Sequence, residues 1–201
     1  PREACKKALG IDPKTLLVGY MGFISSYKGL EILIEAMKHV PDVELLIGGG
    51  WHVERDTAYI VGLKECTTRD LAKRCRWTGF VSERDVHNVY GAMDVVVYPS
   101  RFSTESGALI MALSHGKAVI ASNIGPFKEK EKVGALMTFT DARDLAKKIK
   151  RVLKDTELRS KLEEGALSYA RETSWMQVAE RHIRLYEDVL GCQKSKESVH
   201  T

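Results

Sequence analysis

The chain has 201 residues, of which 44% are hydrophobic and 29% are charged, and this composition excludes a disordered or fibrous protein. That length is enough for one hydrophobic core that needs no disulfide or metal. The 31 basic and 27 acidic residues give a net charge of +4 and alternate along the sequence, whereas nucleic-acid binding requires clustered basic residues. We therefore expect no nucleic-acid partner. The positive balance suits an anionic ligand or a peripheral contact with an anionic membrane surface.

The cysteines and the apolar segments indicate the compartment. The four cysteines show no short paired spacing of the kind that zinc or redox sites require: Cys5, Cys66, Cys75 and Cys192. We expect free thiols in a reducing environment. No segment reaches the roughly 18 apolar residues that a membrane span needs, and no signal pattern opens the chain. We therefore predict a cytoplasmic protein, and its start at Pro1 in a short predicted helix over 2–9 predicts a longer parent chain.

Short apolar, β-branched segments then alternate with longer amphipathic ones, which is typical of a parallel sheet with crossover helices. In chain order we predict strand 15–21, helix 30–40, strand 43–47, helix 54–73, strand 76–78, a helix capped by Ser82, strand 94–98, helix 106–114, strands 118–121 and 135–138, and helices 142–153, 157–170 and 175–190. This order predicts a single α/β domain over 10–190, with a doubly wound, Rossmann-like parallel sheet of about six strands and helices on both faces. A polar, frayed tail is predicted over 191–201.

Ligands of such sheets bind outside the carboxyl ends of the strands, which singles out the loops 22–29, 48–51, 79–82 and 99–107. The first of these loops combines glycines with hydroxyls and one lysine, Lys28. Glycines allow close backbone approach and a lysine supplies a point charge, so the loop suits a phosphate. It matches neither the Walker A nor the dinucleotide glycine pattern, which disfavours a kinase or a dehydrogenase. The alternative is a plain tight turn with a surface lysine.

The segment 102–108 lies at another strand-to-helix transition. Ser103, Thr104, Ser106 and Gly107 can present hydroxyls and backbone N–H groups to an anion, and Glu105 can accept hydrogen bonds from sugar hydroxyls. The alternative is that Ser103 or Thr104 only caps the helix and Glu105 adds charge to its first turn.

Other polar residues are weaker candidates. His115 is expected to complement the dipole at a helix end, not to act in catalysis. His52 and Trp51 fall on the ligand side of the sheet, although Trp51 fits a domain-interface anchor equally well. No pair of acid/base carboxylates, no Ser/His/Asp order and no metal cluster stands out. Any reaction is therefore expected to depend on positioning and on charge stabilisation of a leaving phosphate.

Three segments carry a resemblance to a known family: 22–30, 90–100 and 115–122. In that order and at those separations they resemble the C-terminal domain of retaining GT-B-type glycosyltransferases, over about residues 16–190. The resemblance implies the C-terminal half of a GT-B fold, with residues 1–9 as a linker helix from an N-terminal acceptor domain. It implies retaining transfer of a glycosyl unit from a UDP- or GDP-sugar to an acceptor hydroxyl of a glycan or lipid-linked glycan that the N-terminal domain binds. It implies no cofactor and no metal, and no turnover by this domain alone.

The resemblance also implies roles for single residues. Lys28 is similar to the lysine that neutralises the donor diphosphate, and Ser106 and Gly107 to the loop whose amides hold the distal phosphate and the sugar. Gly79, Phe80 and Val81 match the turn whose backbone reads the base, with Glu83 close by. The remaining expected donor contacts come from the same loops: Gly22, Phe23, Ser25, Gly49, Ser103 and Thr104.

The sequence departs from the family pattern at four positions. Phe23 stands where most family members carry an arginine, and Ser25 stands where a subgroup carries that arginine instead. Ser103 and Met111 stand where most members carry two glutamates. Glu105 is the predicted substitute catalytic carboxylate. These departures leave two hypotheses: a catalytic donor domain, or a degenerate domain that acts as an interaction partner. An isomerase or phosphorylase on the same fold is disfavoured, because no histidine and carboxylate constellation for epimerisation is visible.

Overall fold

The computed structural model describes residues 1–197, without the side chains of Arg55, Ala72 and residues 191–197. Its strands are β1 (Leu17–Met21), β2 (Glu44–Gly48), β3 (Cys75–Gly79), β4 (Val95–Tyr98), β5 (Ala118–Ser122) and β6 (Met137–Phe139). Its helices are α1 (Arg2–Ala8), α2 (Leu30–Lys38), α3 (Val53–Asp70), α4 (Glu83–Ala92), α5 (Gly107–Ser114), α6 (Gly125–Lys132), α7 (Ala142–Lys154), α8 (Thr156–Glu172) and α9 (Trp175–Glu197).

The six strands form one parallel sheet in the order β3-β2-β1-β4-β5-β6. The strand order reverses between β1 and β4, which is the switch point of a doubly wound sheet. Every residue of β1 and β4 is buried, as expected for strands that are covered by helices on both faces. The predicted fold class is therefore confirmed.

Helix α7 shows how the sequence sets both a boundary and a packing face. Asp141 is its N-cap, and the Asp141 side chain accepts hydrogen bonds from the N–H groups of Arg143 and Asp144. The buried residues follow helical spacing and face the core: Leu145, Ala146, Ile149, Val152 and Leu153. The predicted helix over 142–153 is therefore correct to within one residue.

Several predicted boundaries were wrong. Strand β1 begins at Leu17 instead of residue 15, and β6 covers 137–139 instead of 135–138. Helix α6 was not predicted, because its segment begins with glycine and is otherwise mostly charged. Ser82 occupies the N-cap position of α4, but its hydroxyl donates to Asp85 at 2.7 Å instead of accepting from the helix.

The predicted tail is helical up to Glu197, as the continuation of α9. Residues 198–201, the last of the predicted tail, lie outside the described residues. At the other terminus, α1 packs against α4, where a Cβ added at Gly91 would lie 2.5 Å from the Cys5 Sγ. The linker role of residues 1–9 stays a prediction.

A cluster of buried charges holds α1 at the amino ends of the strands. The Asp94 carboxylate accepts hydrogen bonds from Lys6 Nζ at 2.8 Å and from the Leu17 N–H at 2.9 Å, and it lies 3.3 Å from Arg2. The buried Lys117 ammonium donates to the Gly91 carbonyl at 3.3 Å. Burial, together with the nearby Arg2 charge, lowers the pKa of Lys117 from 10.5 to about 8.

Because of this lowered pKa, the free energy of unfolding changes with pH in the alkaline range. Between about pH 8 and 10.5 the unfolded chain keeps the Lys117 proton that the folded chain has released, so the free energy of unfolding rises with pH. We expect Lys117 to contribute a rise of about 2–3 kcal/mol over that window. Urea unfolding at several pH values checks this, with Lys117→Met as the comparison. An equal pH dependence in both proteins would contradict the prediction.

Candidate donor-binding site at the sheet switch point

The loops that follow β1 and β4 meet across the switch point of the sheet. The Arg101 N–H donates to the Tyr27 carbonyl at 2.8 Å. Gly29 has φ of +64°, and a Cβ there would clash with the Pro99 carbonyl oxygen. Only glycine therefore allows these two loops to approach so closely. The structure thus joins the predicted phosphate loop directly to the loop that leads into α5.

The ends of β1, β2 and β3 surround an open cavity of about 520 Å³. Its lining residues are mostly apolar side chains and glycine backbone: Met21, Gly22, Phe23, Gly49, Gly50, Trp51, Phe80 and Val81. Phe80 is 84% exposed and Phe23 is 50% exposed. A concave surface with exposed aromatic faces and nearby backbone polar groups suits a stacked heterocyclic base.

Two glycines let the backbone continue its pairing beyond the strand ends. The Gly22 N–H donates to Gly48 at 3.0 Å and the Ile24 N–H to Gly50 at 2.8 Å. Gly49 has φ of +132°, and its N–H donates to Gly79 at 2.8 Å. Gly22 also lies against the first turn of α5, since a Cβ added there would lie 3.1 Å from the Ala108 Cβ. The structure thus brings Gly22 and Gly49 together, and both line the cavity.

Lys28 ends a 3-10 turn in the β1 loop and is half-buried. Its Nζ lies 4.8 Å from the centre of the Tyr27 ring, and no carboxylate among the described side chains forms an ion pair with it. The Ser25 hydroxyl donates to Asp56 at 3.1 Å, and its predicted contact with the donor stays a prediction. Lys28 therefore keeps its charge available to an anion at the mouth of the loop.

The amino terminus of α5 presents open hydrogen-bond donors. Ser106 is buried and is the N-cap, with its hydroxyl accepting from the Leu109 N–H at 3.3 Å. The helix cap is thus Ser106, and the alternative that Ser103 or Thr104 caps it was wrong. Within the described part of the chain, no acceptor takes the N–H of Gly107 or Ala108. Such free N–H groups favour a phosphate or carboxylate.

Glu105 is held from two sides, although its side chain remains 58% exposed. One carboxylate oxygen accepts from the Ser106 N–H at 3.0 Å, and the other lies 3.0 Å from Lys130 Nζ. Lys130 is buried on α6, the helix that was not predicted. Sequence reasoning therefore missed this partner, although Pro126 in the first turn of α6 is a helix-start signal that could have revealed the helix.

The other predicted contacts are distributed around this centre. Ser103 donates to the Glu105 carbonyl at 3.1 Å, and Thr104 is exposed beside it. Glu83 is exposed in the first turn of α4 and does not line the cavity. Phe80 and Val81, which precede that helix, do line it.

The two histidines lie in different surroundings. His115 ends α5, where its ring is stacked on Tyr90 with the ring centres 4.9 Å apart and its Nδ1 lies 2.8 Å from the Met111 carbonyl. This position fits the predicted helix-end role. His52 is exposed at the N-cap of α3, beside the cavity-lining Trp51.

A set of buried tyrosines supports both loops from below, and sequence reasoning did not find it. The hydroxyls of Tyr90 and Tyr98 donate to the Ala108 carbonyl at 2.9 and 2.6 Å, and Tyr20 donates to the Phe23 carbonyl at 3.0 Å. Burial raises the pKa of Tyr90 to about 12. These neutral phenols position the first turn of α5 and the start of the β1 loop.

The described residues provide neither a metal-binding cluster nor a membrane-spanning helix. No group of three or more His, Cys, Asp or Glu side chains has a metal-binding arrangement within residues 1–197. No described helix is long and apolar enough to cross a membrane.

Solved structures with the same fold include a complex with UDP and glucose and a sucrose-phosphate synthase. Anabaena HepE in complex with UDP and glucose superposes with a TM-score of 0.80 at 24% identity, over 94% of this chain and 51% of that one. Sucrose-phosphate synthase from Thermosynechococcus elongatus gives a TM-score of 0.82 at 24% identity, over 94% of this chain and 49% of that one. At this identity the likeness shows the fold alone, which is the GT-B type expected from the sequence.

Sequence comparison adds the family. D-inositol 3-phosphate glycosyltransferase of Corynebacterium jeikeium is 28% identical over 204 residues, which cover 93% of this chain and 47% of that protein. The chain spans about half the length of the curated relatives it matches. The family model described as glycosyl transferases group 1 matches residues 1–168. The chain therefore belongs to the glycosyl transferases group 1 family.

Proposed function

We propose that this chain binds the nucleotide-sugar donor of a retaining glycosyltransferase, a UDP- or GDP-sugar. The observation that carries the proposal is that three features lie at the same carboxyl edge of the sheet: the cavity of about 520 Å³, the free charge of Lys28 and the open N–H groups of α5. A flat base, an anionic linkage and a polar sugar require these three features in one site. HepE, whose complex contains UDP and glucose, shares the fold.

The parts of the donor fit the parts of the site. The base lies in the cavity between Phe23, Trp51 and Phe80. The diphosphate lies between Lys28 and the amino terminus of α5, where Ser106 and Gly107 contribute hydrogen bonds. The sugar lies beside Glu105, whose carboxylate is fixed by Lys130 and accepts hydrogen bonds from hydroxyls.

The catalytic contribution of these residues is electrostatic. When the bond between the sugar and the diphosphate breaks, negative charge grows on the leaving phosphate oxygen. Lys28 and the free N–H groups of α5 are set in place before the reaction, so they stabilise that charge without rearranging. The Glu105 carboxylate orients the sugar, and the acceptor hydroxyl, of a glycan or lipid-linked glycan, comes from a further domain. The donor site so described requires no metal.

A second candidate function has one observation in its favour. Phe23 occupies the loop position after Gly22 and lines the cavity with an uncharged ring. This position therefore offers a diphosphate no positive charge. A domain that keeps the fold but serves as an interaction partner of an active transferase would show this feature. It would bind no nucleoside diphosphate.

Calorimetric titration of the chain with UDP, GDP, UDP-glucose and GDP-mannose tests the proposal. We expect saturable binding of one base type, and a tenfold to hundredfold loss, on the order of 1.5–3 kcal/mol, in Lys28→Ala. The matched control is Lys14→Ala, which removes an exposed lysine from the loop before β1 at the opposite edge of the sheet. No binding by the folded chain would favour the interaction partner instead.

A further inference from the structure

The proposed diphosphate site contains less positive charge on its own loop than its ligand demands. A diphosphate linkage carries about two negative charges, and charge-assisted hydrogen bonds are the strongest available to it. Residues 22–29 contribute one cation, Lys28. Phe23 lines the cavity without charge, and the Ser25 hydroxyl is bound to Asp56. A second cation must therefore come from another loop if the site is to neutralise the diphosphate.

Arg101 lies on the loop that faces Lys28. Its backbone N–H donates to the carbonyl of Tyr27, the residue before Lys28, at 2.8 Å. The same loop runs on into the open amino terminus of α5. Arg101 is thus fixed by its backbone between the two elements that are proposed to hold the diphosphate, while its side chain is 61% exposed and able to change direction.

The Arg101 guanidinium forms an ion pair with Glu31, in the first turn of α2. Its Nε and Nη2 atoms lie 3.0 and 2.5 Å from one Glu31 oxygen, and the other Glu31 oxygen accepts from the Tyr59 hydroxyl. An exposed ion pair of this kind contributes little to stability. A phosphate offers the planar guanidinium a bidentate partner of higher charge. The contact with Glu31 is therefore easily exchanged for a contact with a diphosphate.

We propose that Arg101 is the second cation of the diphosphate site and that it turns from Glu31 to the donor when a nucleoside diphosphate binds. The proposal rests on the proposed function and makes Arg101 a determinant of affinity for the diphosphate part of the ligand. The competing account is a purely structural one, in which the Arg101 to Glu31 pair clamps the β4 loop to α2 and the arginine never contacts the ligand.

The two accounts predict different effects of Glu31→Gln on the affinity for UDP and GDP. Titration with UDP and GDP is made with the unaltered chain and with Arg101→Ala, Arg101→Lys and Glu31→Gln. If Arg101 binds the diphosphate, Arg101→Ala weakens binding about tenfold or more, and Arg101→Lys falls between because lysine cannot bind bidentately. Glu31→Gln removes the negative charge that attracts the guanidinium, so the affinity of this variant equals that of the unaltered chain or rises by up to about fivefold.

If the pair is a structural clamp, Glu31→Gln weakens binding as much as Arg101→Ala, and the inference is overturned. Thermal melting of each variant confirms folding, and little change is expected because the pair is exposed. Binding that depends on Lys28 but is unaffected by Arg101→Ala overturns this inference alone. A folded, unaltered chain that binds neither UDP nor GDP overturns the proposed function as well.

Discussion

Replacing Gly49 with alanine is expected to lower the free energy of unfolding by about 3 kcal/mol or more and to abolish nucleotide binding. Gly49 has φ of +132°, a region that residues with a Cβ rarely adopt. An added methyl group would also fall well inside contact distance of the Gly22 carbonyl oxygen. Because the obstacle is backbone and not a flexible side chain, the loops after β1 and β2 must separate.

That separation would damage the proposed site directly. Gly22 and Gly49 both line the cavity, and the pairing of Gly22 with Gly48 holds the loop that carries Lys28. Opening this pairing moves one wall of the cavity away from the other. The loss of binding is therefore expected to exceed that of Lys28→Ala, which removes a charge and leaves the cavity intact.

Gly50→Ala is the matched control for this experiment. Gly50 lines the same cavity, but its φ is outside the strained region and a Cβ there meets no atom within 4 Å. Urea unfolding and UDP titration of both variants give the comparison. Gly50→Ala is expected to change the free energy of unfolding by about 0.5 kcal/mol or less, as for an unstrained surface change. Equal behaviour of the two variants would refute the account of Gly49.

The position of the candidate site was predictable because its main signals are local. Buried apolar runs such as those of β2 and β4 identify strands, and glycines with a lysine mark the loop after β1. The rule for the carboxyl ends of parallel strands then places these loops on one edge, and the structure does bring the loops after β1, β2, β3 and β4 to that edge. The roles of Lys28 and Glu105 stay predictions.

The partners of these residues were not predictable, because they come from distant parts of the chain. Lys130 lies on α6, which begins with glycine and consists mostly of charged residues, so no helical spacing of apolar residues indicated this helix. Its pairing with Glu105 depends on how α6 packs after β5. The tyrosines below the loops read as ordinary strand or helix core residues, since nothing in the local sequence shows that their hydroxyls reach the Ala108 and Phe23 carbonyls.

Asp94→Ala is expected to destabilise the chain by about 3–5 kcal/mol, the usual cost when one partner of a buried ion pair is removed. Asp94 is 3% exposed and Lys6 is equally buried. The Lys6 ammonium would keep the Thr15 carbonyl as a hydrogen-bond acceptor at 2.7 Å but would lose its counter-charge. The Leu17 N–H at the start of β1 would lose its acceptor as well.

A second substitution separates the charge from the hydrogen bonds. If the unpaired Lys6 ammonium causes most of the loss, Asp94→Ala with Lys6→Met is more stable than Asp94→Ala alone, because an apolar side chain of similar length replaces a buried charge. Asp42→Ala removes an exposed carboxylate and is expected to change the free energy of unfolding by about 0.5 kcal/mol or less. Urea unfolding of these three variants and of the unaltered chain provides the test. If the double variant is no more stable than Asp94→Ala, the cost arises from the Leu17 hydrogen bond and the Arg2 contact, and the Lys6 charge is not what Asp94 is needed to balance.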